Sequence, residues 1–207
     1  MIYKIRFLNN MRLIIATTNQ GKLREYRELL SELGVELDGL RSFEGLVEPL
    51  ENGATFEENA VIKAASYARQ TGEWVLADDS GLEVAALAGA PGVHSARFGG
   101  VGAGYVEKMT IVLENLAGAE DRSARFACVI AVARPDGAIA ATAVGECRGR
   151  ITDSPKGANG FGYDPIFMPE GYGRTFGELT NVEKSALSHR GRAAKQIIRR
   201  MLDFIGV

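Results

Sequence analysis

The first dense run of apolar residues, Leu13-Ile14-Ile15-Ala16-Thr17, is short and continuous, which predicts a buried strand. Thr18-Asn19-Gln20-Gly21-Lys22 then opens a segment whose apolar positions are Leu23, Tyr26, Leu29, Leu30 and Leu33. That spacing predicts a helix, with Gly34 placed to end it. A polar stretch over residues 41–53 leads to Thr55-Phe56-Glu57-Glu58, where a threonine and a glutamate three apart predict a capping box. The helix it starts continues through Val61, Ala64, Ala65 and Ala68 to Gly72. Trp74-Val75-Leu76-Ala77 predicts a short buried strand, with a turn permitted at Gly81. The first half therefore reads strand, helix, loop, helix, strand.

Residues 88–104 are glycine-rich and irregular, long enough to line a site. A helix follows with Tyr105, Met109, Val112, Leu113 and Leu116 on one face. Residues 123–134 and 138–151 are strand-like, and Pro135-Asp136-Gly137 between them predicts an antiparallel hairpin. The last third holds a glycine-rich loop at 157–162, a second capping box at Thr180-Asn181-Val182-Glu183, and Ser188 placed to cap a final helix. That helix carries Ala194, Ile197, Ile198, Met201, Leu202 and Ile205. No internal repeat or linker interrupts the pattern, so the expectation is one α/β domain over residues 11–207 with two interleaved lobes. Residues 1–10 read as an extension before a start at Met11.

Composition narrows the class. With 24 basic and 26 acidic residues the net charge is -2, which gives no global attraction to nucleic acid or to an anionic membrane surface. No apolar run approaches the roughly 20 residues a membrane span needs, and no secretory signal is evident. The expectation is a cytoplasmic protein with neither membrane nor nucleic acid as partner. Cys128 and Cys147 sit in apolar, strand-like surroundings and read as buried thiols.

Four segments carry candidate chemistry. The junction Thr17-Thr18-Asn19-Gln20-Gly21-Lys22 offers backbone N–H groups, two hydroxyls, an amide and a lysine to an anion, though the Walker spacing is missing; it is either a phosphate site or an ordinary helix cap. In Asp78-Asp79-Ser80-Gly81, two carboxylates at a strand end are either an Asx turn or hard ligands for Mg2+, together with Glu51 or Glu58. Glu58 has a competing task in its capping box, which leaves Glu51 the better ligand. Phe161-Gly162-Tyr163-Asp164 is either a platform for a nucleobase or, at Tyr163, part of the core. Lys184, Ser188, His189 and Arg190 cluster donors, and His189 or Arg190 could donate to a keto oxygen on a base.

Taken in order, T-T-N-Q-G-K, T-F-E-E-N-A, A-D-D-S-G-L, G-A-P-G-V-H-S-A-R-F, G-F-G-Y-D-P-I-F and S-H-R-G resemble the Ham1/inosine triphosphatase family from about Leu13 to the C-terminus. The resemblance implies an elongated mixed α/β sheet with flanking helices, two lobes around a central nucleotide-binding cleft, and a homodimer. It also implies Mg2+-dependent hydrolysis of ITP, dITP and XTP to the monophosphate and pyrophosphate, which removes deaminated purines from the nucleotide pool. Carried over by position, Thr17, Thr18, Asn19, Gln20, Gly21 and Lys22 would hold the triphosphate. Asp79 would be the general base and a metal-linked carboxylate, with Glu51 a further acidic metal position and Asp78 beside them. Ser80 would contact substrate, Phe161, Gly162, Tyr163 and Asp164 would frame base and sugar, and Lys184, His189 and Arg190 would read the base. The rival readings are a nucleotide sensor without hydrolysis and an enzyme of the Maf-like group.

Overall fold

The computed structural model describes residues 12–100 and 102–204. The extension, Met11 and Ile205 of the sequence reading lie outside the described residues. Among the described residues, six strands form one mixed sheet in the order β2-β1-β3-β4-β5-β6. They are β1 (Arg12–Ile15), β2 (Glu36–Gly39), β3 (Trp74–Val84), β4 (Ser123–Ala133), β5 (Ile139–Ile151) and β6 (Phe167–Pro169). β1 runs parallel to both β2 and β3, whereas β5 and β6 are antiparallel. Among the described residues five helices accompany the sheet: α1 (Gln20–Leu29), α2 (Phe56–Thr71), α3 (Tyr105–Asn115), α4 (Asn181–Leu187) and α5 (His189–Phe204).

The chain divides into two compact units made of interleaved segments. The first comprises the described residues up to Asp79, Cys128–Gly145, and those from Arg192 onward; the second comprises Ser80–Ala127 and Glu146–Gly191. In the first unit Leu13, Ile15, Leu23, Tyr26, Leu30, Leu76, Ile130, Val132, Ala194 and Ile197 share a core. Each large aliphatic side chain withdrawn there contributes about 1.5–3 kcal/mol. The periodic positions of α1 and α5 meet in this core, which is why the 3.6-residue spacing was informative. The second unit has its own core around Leu82, Val112, Phe126, Ile166, Phe167 and Phe176. Met109, Val112 and Leu116 are buried in it, while Val106 of the same helix is exposed.

Local chemistry sets the boundaries. Asn19 caps α1, Thr180 and Glu183 form the expected capping box on α4, and Ser188 Oγ accepts from Gly191 N at 3.1 Å in the first turn of α5. At α2 the box is displaced by one residue: Thr55 Oγ1 accepts from Glu58 N, but Glu58 Oε2 accepts from Ala54 N at 2.6 Å. α1 stops at Leu29 and a 3-10 turn over Ser31–Leu33 carries the chain to Gly34, whose φ of 63° is left-handed. β4 and β5 are neighbours joined through Pro135-Asp136-Gly137, as the hairpin reading requires. Two expectations are corrected. β2 appears where no strand was read, and β3 does not turn at Gly81 but continues through both aspartates to Val84.

Candidate active site

The strand reading of Asp78 and Asp79 has a direct consequence, because successive residues of an extended chain face opposite sides. Asp78 is 2% exposed, and its Oδ2 pairs with Lys22 Nζ at 2.9 Å. Asp79 instead accepts from Asn59 Nδ2 at 3.1 Å. Burial raises the Asp79 carboxyl above the usual carboxylate range, and the positive charges of Lys63 and Lys22 and the Asn59 hydrogen bond oppose that rise in part. Asp79 is thus a half-buried acid with two cations near it.

Lys63 was not singled out in the sequence. Its ammonium donates to the Asp78 carbonyl at 3.0 Å and pairs with Glu51 Oε2 at 2.9 Å. It ties the loop acid Glu51 to the main chain beside Asp79. Asn59, Lys63 and Tyr67 lie four residues apart on α2, so one helix face carries all three. The readable signal was a polar residue every four positions beside Ala60, Ala64 and Ala68. Asn59 is itself fixed, since its Oδ1 accepts from Gly53 N at 2.8 Å. A cavity of about 60 Å³ is lined by Thr17, Thr18, Glu48, Glu51, Lys63 and Tyr67. Burial, with the charges of Glu48 and Glu51, raises the Tyr67 hydroxyl pKa.

At the start of α1, Asn19 Oδ1 accepts from Gly21 N at 2.8 Å and Lys22 N at 3.2 Å. Two of the backbone donors expected to face an anion are therefore already used by the cap. Thr17 Oγ1 accepts from Asn19 N, and Gln20 Nε2 donates to the Thr18 carbonyl. What the junction offers an anion is chiefly hydroxyls and the Lys22 ammonium.

The base-reading candidates belong to the second unit. Arg190, 2% exposed, donates from Nη2 to Ser80 Oγ at 2.9 Å. Lys184 Nζ pairs with Asp164 Oδ2 at 2.7 Å, and the same oxygen accepts from Phe161 N at 2.7 Å. Lys184 and Arg190 both lie over the Phe161 ring, 4.8 Å and 5.5 Å from its centroid. His189 stacks on Phe126 at 4.7 Å with an interplanar angle of 11°. Ser80, Phe161, Lys184 and Arg190 are therefore brought together, with Asp164 as their internal acid.

Two open alternatives close. Tyr163 is core rather than platform: it is buried, its hydroxyl donates to the Ser95 carbonyl at 2.9 Å, and burial raises its pKa. Glu58 is engaged at the start of α2, where its carboxylate accepts from Ala54 N, in keeping with its capping role. Gly162 has φ +70°, so the loop between Phe161 and Tyr163 takes a left-handed residue there.

A cavity of about 830 Å³ in the second unit is lined by Arg125, Arg148, Arg150, Met168 and Tyr172 among others. It contains none of the predicted residues, and its volume alone does not make it the centre of the chemistry. Among the described residues no three His, Cys, Asp or Glu side chains converge as an all-protein metal cage requires. Mg2+ prefers one or two carboxylates with waters and substrate phosphates, and Asp79 and Glu51 fit that donor set. Asp78, whose side chain is 1% exposed against 20% for Glu51, has no room for the waters such an ion keeps and fits it poorly.

The sheet, the caps and the acid–lysine centre define a mixed α/β protein with paired polar sites. Residues 13–200 match the family model described as the Ham1 family. A dITP/XTP pyrophosphatase of Syntrophobacter fumaroxidans is 50% identical over 90% of this chain and 80% of its own length. One from Synechocystis is 47% identical over 90% and 93%. Among solved structures, a HAM1 protein from Coxiella burnetii superposes with a TM-score of 0.84 at 43% identity, covering 93% of this chain and 99% of its own. The Staphylococcus aureus Ham1 protein gives 0.83 at 35% identity with the same coverage. The chain belongs to the Ham1 family.

Proposed function

We propose that this protein hydrolyses non-standard purine nucleoside triphosphates, XTP, dITP and ITP, to the monophosphate and pyrophosphate, and so clears deaminated purines from the cytoplasmic nucleotide pool. The observation that carries the reading is Asp79: a carboxylate withdrawn from water, oriented by Asn59, with Lys22 and Lys63 close enough to act on its charge. The names of the relatives, dITP/XTP pyrophosphatases, point to the same chemistry.

In this scheme the oxygen of a water molecule bonds to the α-phosphorus while the bond from that phosphorus to the bridging oxygen breaks. Pyrophosphate leaves, and Asp79 takes the proton of the attacking water. Lys22, with the Thr17 and Thr18 hydroxyls, offsets the charge on the phosphate oxygens. Asp79 and Glu51 would hold Mg2+, which when bound neutralises phosphate charge and polarises the reacting anhydride. Arg190 and Lys184, positioned by Ser80 and Asp164, donate to the keto oxygens of the base. An amino group at the ring edge that these donors face, the 6-amino group of adenine or the 2-amino group of guanine, would leave them facing hydrogens, a mismatch that discriminates strongly. Assembly as a homodimer belongs to the same reading, and the mass in solution tests it.

The deciding measurement is turnover of XTP, dITP, ITP, ATP and GTP with Mg2+, with pyrophosphate and orthophosphate resolved. The expected outcome is pyrophosphate from XTP, dITP and ITP, at rates exceeding those on ATP and GTP by about 100-fold or more. Orthophosphate release, or equal use of ATP, would overturn the assignment in favour of a general phosphatase or a Maf-like enzyme. Binding without turnover would indicate a sensor.

A further inference from the structure

Lys22 and Tyr26 are one turn apart on α1, and a closed ring of contacts links them through the sheet. Lys22 Nζ meets Asp78 Oδ2 at 2.9 Å; Cys128 Sγ donates to the same oxygen at 3.8 Å; the Tyr26 hydroxyl lies 3.8 Å from Cys128 Sγ. The ring joins α1, β3 and β4 and returns to the helix it left. Tyr26 and Cys128 are fully buried, and the Asp78 side chain is 1% exposed. The Asp78 main chain is held as well, because its carbonyl accepts from Lys63 Nζ at 3.0 Å.

We propose that Asp78 is a positioning residue, which fixes the Lys22 ammonium where the triphosphate oxygens are met and takes no part in holding metal. The proposal rests on the triphosphate reading of the site. A lysine has a flexible four-carbon stem and a compact charge, so without an anchor its ammonium samples many places. A carboxylate locked in a strand interior, with a thiol and a tyrosine packed behind it, gives that ammonium one place. The same residue holds both lysines near Asp79, Lys22 through its side chain and Lys63 through its backbone. A carboxylate so enclosed has no face for a hydrated cation, whereas Mg2+ keeps several waters. The adjacent aspartates thus divide the work: Asp79 faces the reaction, and Asp78 holds the cation that serves it.

Positioning and charge make different demands on a variant. Removing the Asp78 charge takes a competing anion away from Lys22, so attraction for a polyphosphate is retained; what is lost is the ammonium's placement. Misplacement of a catalytic group by about 1 Å can lower the rate about 100-fold. The test compares Asp78→Asn, Lys22→Met and the double variant by kcat and KM for XTP. It adds the Mg2+ concentration for half-activation, and the Kd of inorganic tripolyphosphate without metal by calorimetry. The expected result for Asp78→Asn is a kcat lowered about tenfold or more, with tripolyphosphate affinity and Mg2+ half-activation changed less than about threefold. In the Lys22→Met background the Asn substitution is expected to add less than about twofold, because its effect passes through the lysine.

A tenfold rise in the Mg2+ requirement of Asp78→Asn would make Asp78 a metal ligand and overturn the proposal. So would an undiminished kcat effect in the Lys22→Met background. A crystal structure of the wild-type protein with Mg2+ and an imido analogue of ITP tests the same point if Asp78→Asn does not fold. Lys22 is expected between Asp78 and a phosphate oxygen; Mg2+ at about 2.1 Å from the Asp78 carboxylate would overturn it. Failure of the wild-type protein to release pyrophosphate from any purine triphosphate would sink the functional reading instead, and the tripolyphosphate titration and the complex would still judge Asp78.

Discussion

Asp79 carries opposite demands at the scale of the residue. Its carboxyl titrates above its unfolded value of about 3.9 in the metal-free protein, mainly because burial removes its water. A raised folded pKa means that the group's contribution to stability is present in full below pH about 4. It is lost as pH rises through the folded value. At neutral pH the ionised carboxylate therefore weakens the fold it serves. Asp79→Asn is expected to raise the melting temperature of the metal-free protein at pH 7 by about 2 °C or more, and to leave it unchanged near pH 4. The same variant should lose about 1000-fold or more in kcat. Melting curves at the two pH values, with turnover of XTP, check both; a lower melting temperature at pH 7 would show that the Lys63 and Lys22 charges outweigh burial. The acidic pair was legible in the sequence because two aspartates after an apolar run are conspicuous. Asn59 and Lys63 were not, because a polar residue in an alanine-rich helix looks the same whether it faces water or a buried acid. Tyr163 stayed open for a related reason: an aromatic beside glycine offers a platform only if a ring face is exposed, and here the ring is buried while its hydroxyl donates to the Ser95 carbonyl.

At the scale of elements, the loop over residues 157–164 shows glycines placed by what they must wrap around. Gly160 has φ +73°, and a Cβ there would sit 2.0 Å from Asp164 Oδ2, the oxygen that accepts from Phe161 N and Lys184 Nζ. Gly160→Ala therefore both strains the backbone and dislodges the acid that organises Phe161 and Lys184. The expected outcome is a loss of about 1–3 kcal/mol in stability and a KM for XTP raised more than kcat is lowered, since the triphosphate end is untouched. Denaturant unfolding and steady-state kinetics measure the two effects; an unchanged KM would remove this loop from base recognition. The glycine run could be read as a loop, but its inward-facing aspartate could not, because a buried Asp–Lys pair twenty residues apart leaves no local pattern. β2 escaped for a different reason. Glu36-Leu37-Asp38-Gly39 lacks strand composition, yet it is an edge strand whose acids meet Arg12, at 3.7 Å for Glu36 and through a hydrogen bond for Asp38.

At the scale of the whole molecule, the interleaving of units was foreseeable from the absence of an internal repeat or linker. The strand order was not, because pairing partners are set by packing across the chain rather than by any one segment. Net charge, by contrast, is read directly from the sequence, and it bears on how a polyanionic substrate arrives. The protein is itself an anion of formal charge -2. The two lysines near Asp79 are only 15% and 13% exposed and are already paired with Asp78 and Glu51. Their fields are largely cancelled within an ion-pair length, well inside a screening distance of about 10 Å at 0.1 M salt. Long-range steering, which raises association rates 10- to 1000-fold in charged clefts, then has little to act through. kcat/KM for XTP is accordingly expected to change less than about threefold between 50 and 200 mM KCl at saturating Mg2+. A tenfold fall over that range would show that an exposed basic surface guides the substrate. The arginines around the larger cavity, Arg148 and Arg150, would be the first to replace, because they are exposed where Lys22 and Lys63 are not. A flat salt profile would instead mean that the lysines act only at contact, as groups placed by their own acids and kept for the phosphates of a bound nucleotide.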